Sequence, residues 1–290
     1  MYLFSKIRGT FLGVALGDGL GEYPSLLRST EKIPPTDDTL MTLALAEVLF
    51  QNGKYNPQKV AEKYLQLYEE GILTKIGFTT YRALERFKKT KNWFYSGVAD
   101  ERAAGNGVAM RIAPIGVYAY LKNLTLEDFY ETVRWEGYIT HRNELAISGA
   151  FAVAYAVYLN LKGGLNKTEV VKEVTNTFKR LGIENPVKGS IENSLKLLEE
   201  TSQRALTIFG TSGYVVHTVG SAFYLFLKME DFLKGIEELL KVGGDTDTIG
   251  AIFGALYGSF YGEEKLPSRY VERLKVLPDI GRLVEMLQKG

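Results

Sequence analysis

Residues 243–262 read GGDTDTIGAIFGALYGSFYG, a polar, acidic start followed by an apolar run with Gly250, Gly254, Gly258 and Gly262 four residues apart. Four-residue spacing places the glycines on one helical face, and each helix-interior glycine costs about 1 kcal/mol against alanine. That cost calls for an offsetting gain, and close helix–helix contact supplies one. The N-terminal segment carries a matching ridge at Gly9, Gly13, Gly17 and Gly21. Two such ridges, one near each end of the chain, predict helices that approach closely and bring their ends together.

The rest of the chain also reads as helices. Leu40, Leu43, Ala44 and Val48 fall on one face of a helix expected over 36–50, and 145–161 is apolar almost all round, as in a fully buried helix. Further amphipathic helices are expected over 168–180, 191–202, 231–242 and 279–288, with Thr125–Asp128 as a capping box before another. Asn52-Gly53, Gly163-Gly164, Asn185-Pro186 and Leu266-Pro267 punctuate them. No alternating strand pattern with hairpin signals is present. The expected class is all-α, as one domain over 1–290.

Composition narrows the chemistry. The 290 residues are 46% hydrophobic and 24% charged, with net charge +1, two histidines and no cysteine. Absent cysteine excludes disulfides, zinc–thiolate sites, iron–sulfur clusters and thiol nucleophiles. The balanced charge argues against a sequence-independent nucleic-acid partner. The uncharged stretch between Arg204 and Lys228 is rich in hydroxyls and glycine in its first half, so a buried helix after a polar loop is expected there and no membrane partner. The N-terminus lacks the pattern of a signal peptide, and the cytoplasm is the expected location.

Two acidic clusters stand at expected helix starts: Thr36-Asp37-Asp38-Thr39 and Asp245-Thr246-Asp247-Thr248. One helix start needs one cap, so the excess of carboxylates suits a hard divalent cation. Four such carboxylates brought together would need cations or raised pKa values. Asp37-Asp38 lacks a third carboxylate one turn on, where Met41 and Thr42 stand, which argues against an isoprenoid-synthase motif. Gly105-Asn106-Gly107 is a glycine-flanked turn expected to open a helix, with backbone N–H groups able to cradle a phosphate. His141 is expected as a helix-start cap or a core hydrogen bonder.

Taken in order, GVALGDGLG (13–21), TDDTLMTLALAEVL (36–49), GNGVAMRIAPIG (105–116), ITH (139–141), SGYVVHT (212–218) and GGDTDTIGAIFGALYG (243–258) resemble the ADP-ribosylglycohydrolase family, which includes the dinitrogenase reductase-activating glycohydrolases. The resemblance covers most of the chain. It implies a compact all-α fold with two Mg²⁺ or Mn²⁺ ions held by Thr36, Asp37, Asp38, Asp245, Asp247 and Thr248. It implies that Gly105, Asn106, Gly107 and Met110 contact the diphosphate and riboses, with His141 alongside and Gly17 and Asp18 at the mouth. The implied activity is hydrolysis of the glycosidic bond joining ADP-ribose to an arginine or serine side chain or to a small acceptor, with Asp37, Asp38, Asp245 and Asp247 indispensable.

Two departures stand out. A glutamate that the family usually has downstream of the aspartate in G-D-x-x-G is Ser25 here, and Glu22 is the nearest carboxylate, expected to take its catalytic role. His217 stands where close relatives would carry an aspartate, and is expected to cap a helix or face solvent. The Ser25 departure leaves a second expectation open, an ADP-ribose-binding or sensing protein without catalysis.

Overall fold

The glycine ridges determine how the first helix packs. In the computed structural model, which describes residues 2–289, helix α1 (Tyr2–Glu22) lies antiparallel against α13 (Thr246–Tyr261). A β-carbon on Gly13 would overlap the carbonyl of Gly254, one on Gly17 the carbonyl of Gly250, and one on Gly21 the carbonyl of Thr246. The two backbones touch directly, and no side chain could be inserted between them. Of the expected 1–290 domain, Met1 and Gly290 lie outside the described residues.

Between these two helices run α2 (Asp37–Asn52), α3 (Pro57–Glu69), α4 (Phe78–Thr90), α5 (Ala113–Lys122), α6 (Leu126–Thr140), α7 (Glu144–Lys162), α8 (Lys167–Arg180), α9 (Pro186–Lys196), α10 (Ser202–Phe209), α11 (Val215–Lys228) and α12 (Phe232–Val242). After α13 come a short α14 (Ser268–Val271) and α15 (Leu277–Lys289). Among the described residues only isolated β-bridges occur and no strand, so the all-α expectation holds. One contiguous apolar core links nearly all of these helices.

Helix α7 is long and apolar enough to cross a membrane, but 83% of that stretch is buried inside the protein. It is the central core helix foreseen over 145–161. The Asn160 side-chain amide on α7 donates to the Leu256 carbonyl (3.1 Å) and to Ser259 Oγ (2.9 Å) on α13, and the Asn160 backbone carbonyl accepts from Lys6 Nζ of α1 (2.7 Å). Burial lowers the Lys6 pKa, as expected for an ammonium held in the interior. The uncharged 204–228 stretch resolves into α10, a polar loop and buried α11.

Local signals place most helix ends. Thr36, Thr125, Asn166 and Asp231 each accept a backbone N–H as N-caps, and Gly53 closes α2 in the left-handed conformation at φ 62°. One helix differs from expectation. The 191–202 helix begins earlier, at Pro186, because Asn185 caps the Val187 and Lys188 N–H groups and proline suits the first turn. It ends at Lys196, and Thr201 caps a separate helix, α10.

The ridge contact is testable by small substitutions. Gly13→Ala or Gly17→Ala should cost about 3 kcal/mol or more, since backbone cannot move aside as a side chain can. Gly189→Ala, in α9 with open space around the new methyl, should gain about 0.5–1 kcal/mol. Denaturant unfolding of the variants measures both; equal effects at the two kinds of site would contradict the packing described.

Candidate metal centre

The antiparallel register sets the last turn of α1 beside the first turn of α13, and α2 begins at the same place. Asp18, fully buried on α1, joins them. Its carboxylate accepts from Thr36 N (2.9 Å), Thr36 Oγ1 (2.6 Å), Thr39 N (3.2 Å) and Thr39 Oγ1. The side chain thereby caps the start of α2 from another helix. Asp18 was expected at the mouth of the site; the structure puts it underneath, because its threonine partners lie on the buried side of α2.

One oxygen from each of Asp18, Asp38 and Asp247 lies within 4.8 Å of the others. Three of the four hydrogen bonds of Asp18 fall on Oδ2 and one on Oδ1, so Oδ2 braces the start of α2 while Oδ1 keeps one free lone pair. Two further oxygens are entirely without a hydrogen-bond partner: Asp37 Oδ2 and Asp38 Oδ2, both buried. Two orphaned carboxylate oxygens facing a further acidic cluster are the donor set of a hard cation. Asp245 is held in place by Asn106 Nδ2 (2.6 Å) and by its own N–H to the Thr211 carbonyl (2.7 Å). Asp247 accepts from Thr248 N (2.9 Å), and buried Thr248 hydrogen-bonds Asp38.

The two expected clusters therefore meet, and their charges act on one another. Burial, followed by repulsion from Asp18, Asp247 and Asp245, pushes the Asp38 carboxyl well above its usual range. Burial raises Asp18 to about 6 against the opposing threonine hydrogen bonds, and raises Asp245 to about 7 with further help from Asp247. Asp37 is raised by burial, opposed by backbone N–H groups of Lys75 and Thr74. Thr74 N donates to Asp37 Oδ1 at 3.1 Å.

The glycine turn flanks the cluster at Asp245. Asn106 bridges Asp245 to Thr218 Oγ1 (2.9 Å), while its N–H pairs with the Gly213 carbonyl (3.0 Å). The turn leads into a 3-10 turn over Ala109–Arg111 and not directly into a helix; α5 starts beyond it, where Pro114 fits the first turn. Buried Met110 follows, its carbonyl within reach of Thr42 Oγ1 (3.4 Å) on α2. His141 sits at the end of α6, not at a helix start, and is buried. Its ring lies so close to Gly107 that a β-carbon there would fall 2.8 Å from Cε1. Burial and the nearby Arg111 cation push its pKa down to about 3, so it is a neutral hydrogen bonder, with Nδ1 2.8 Å from Thr140 Oγ1.

Beneath the turn lies a charged network with no sequence signature. Arg111, fully buried, bonds Glu136 Oε1 (2.9 Å), Thr140 Oγ1 (2.8 Å) and the Gly107 carbonyl. Glu136 also accepts from Tyr64 (2.7 Å) and Tyr55 (2.9 Å). Every polar atom of the ion pair is thus engaged by a partner that fixes the turn's position.

At the opposite flank, by Asp37, α1 ends at Glu22. Its carboxylate pairs with Lys75, whose ammonium also stands 5.3 Å from the Tyr23 ring centre. Ser25 is exposed on a 3-10 turn. The following segment is pinned by Arg273, which donates to the carbonyls of Glu31 (2.8 Å) and Leu26 (2.9 Å). His217, in the first turn of α11, bonds Ser212 Oγ (2.9 Å) and packs edge-on against Tyr214.

Comparison with known proteins gives a consistent picture. A family model described as ADP-ribosylglycohydrolase matches residues 2–290. The chain is 23% identical to ADP-ribosylhydrolase ARH3 of Homo sapiens, over 98% of this chain and 93% of that one. It is 25% identical to ADP-ribosylarginine hydrolase Tri1 of Pseudomonas putida, over 97% of this chain and 77% of that one. A solved chain titled ADP-ribosylglycohydrolase-related protein complex superposes with a TM-score of 0.78 at 28% identity, covering 99% of this chain and 98% of that one.

Two outcomes follow from this geometry. The raised carboxylates bind protons in the folded state between about pH 4 and 7 that the unfolded chain does not. Metal-free protein should therefore gain stability as pH falls from 8 to 5. His141 opposes this below pH 6.5, by one proton at most against several from the carboxylates. Thermal melts in EDTA should show a Tm higher at pH 5 than at pH 8 by about 3 °C or more, and Mn²⁺ should raise Tm more at pH 8 than at pH 5; a pH-independent Mn²⁺ effect would count against the cluster as the binding site. Separately, Arg111→Met should cost about 3–5 kcal/mol in urea unfolding, because it strands the Glu136 charge.

Proposed function

The chain belongs to the ADP-ribosylglycohydrolase family, and on that premise we propose that it is a metal-dependent hydrolase of the bond between ADP-ribose and an acceptor, either a protein side chain or a small molecule. The observation that carries the reading is the pair of orphaned oxygens on Asp37 and Asp38 opposite Asp245 and Asp247. Thr36, Asp37, Asp38, Asp245, Asp247 and Thr248 would hold two Mg²⁺ or Mn²⁺ ions. When bound, such ions supply Lewis acidity toward ribose hydroxyls and water.

The remaining chemistry belongs to side chains and backbone. Gly105, Asn106, Gly107 and Met110 would position the diphosphate and ribose, with remote binding energy spent on aligning the anomeric carbon. His141, neutral at physiological pH, would direct a hydrogen bond without competing for the cations. Water adds to the anomeric carbon of the distal ribose as its bond to the acceptor breaks, through an oxocarbenium-like transition state. Glu22 would take the proton from that water. The acceptor leaves carrying a proton, and free ADP-ribose remains. The cysteine-free composition supports a reducing, cytoplasmic setting.

The exposed position of Ser25 favours one alternative, a protein that binds ADP-ribose without turnover. Incubation with serine- and arginine-linked ADP-ribosyl peptides and O-acetyl-ADP-ribose separates the two. Release of ADP-ribose in Mg²⁺ or Mn²⁺, abolished by EDTA and reduced at least about 100-fold by Asp247→Ala, is expected. Calorimetric binding of ADP-ribose with no release from any substrate would establish the alternative.

A further inference from the structure

The acidic centre has two flanks, and they differ in charge. The Asn106 turn touches it at Asp245. The segment between α3 and α4 touches it at Asp37, through the N–H groups of Thr74 and Lys75. If ADP-ribose lies along the Asn106 turn, its scissile bond points toward the other flank, where the acceptor must sit. That flank holds Glu22, Tyr23 and Lys75.

An arginine acceptor carries a planar cation that needs an unpaired carboxylate or a free aromatic face. Here one cation already engages both: Lys75 pairs with Oε1 of Glu22 and stands over the Tyr23 ring. Asp37 is turned toward the Thr74 and Lys75 N–H groups on one oxygen and toward the proposed cations on the other. An incoming guanidinium would meet the Lys75 charge at close range, where like charges repel. A hydroxyl acceptor meets no such penalty.

We infer that Lys75 is a specificity-determining residue that selects O-linked, uncharged acceptors such as serine over guanidinium acceptors. The inference rests on the hydrolase reading above. Lys75 works at the acceptor side, so the product ADP-ribose does not sense it. Its effect is partly solvent-exposed, with side-chain exposure of 43%, and salt should weaken it.

The test compares kcat/KM on serine-linked and arginine-linked ADP-ribosyl peptides of otherwise identical sequence, in wild type, Lys75→Met and Lys75→Arg. Wild type should favour the serine linkage. Lys75→Met should shift the ratio toward arginine by roughly tenfold at low salt, mostly through KM on the arginine peptide. Lys75→Arg should keep the wild-type preference. ADP-ribose affinity by calorimetry should be the same in all three. Binding of methylguanidine alone, followed in the presence of ADP-ribose, should appear only in Lys75→Met. An arginine preference in wild type, or a ratio unmoved by Lys75→Met, overturns this inference and leaves the hydrolase reading standing. Release from neither peptide overturns this inference, and release from neither peptide nor O-acetyl-ADP-ribose overturns both.

Discussion

The direct backbone contact between α1 and α13 is the constraint on which the remaining structure depends. Glycine at 9, 13, 17 and 21 faces glycine at 258, 254 and 250 and the turn at Thr246, so the helices can slide relative to each other only by creating overlap. That fixes the level of Asp18 against Asp247. Asp18 in turn fixes α2 through Thr36 and Thr39. Three helix ends and five carboxylates are thereby registered by a contact that involves almost no side chain.

Concentrating carboxylates in this way works against stability, and the fold holds its buried charges in two separate manners. Asp18 is offset by hydrogen bonds from threonines and helix-start N–H groups, a local arrangement. Arg111 and Glu136 form a buried charge pair under the Asn106 turn, closed off by Tyr55 and Tyr64. The first arrangement positions the acids and the second positions the turn that would face the substrate. Both groups of residues are rigid for the same reason: nearly every polar atom already has a partner, and the exceptions, Asp37 Oδ2 and Asp38 Oδ2, are those that point into the centre.

Much of this was legible in the sequence because it is written in short segments. The glycine ridges, the paired acidic clusters and the helix caps each occupy a few consecutive turns, and their spacing carries the information. The parts that were not legible depend on single residues joined across long separations. Asp18 reads as one more residue of a glycine-rich helix until α2 arrives on top of it. Arg111, Glu136, Tyr55 and Tyr64 come from four places in the chain, and each residue alone is ordinary. Lys75 lies in a short connecting loop with no motif. The helix over 186–196 departs from its sequence pattern for the opposite reason: Asn185-Pro186 punctuates the chain, yet asparagine followed by proline also begins helices.

The α1–α13 contact also has a consequence for how the molecule comes into being. Its halves are separated by more than two hundred residues, so the contact order of the metal centre is high and its loop-closure entropy falls late in folding. During synthesis α1 emerges first and must wait, its glycine-lined face uncovered, until α13 leaves the ribosome. Any nascent chain that stops short of residue 245 carries Asp37 and Asp38 but neither opposing aspartate. The centre is complete only when segments from both ends of the chain are present together.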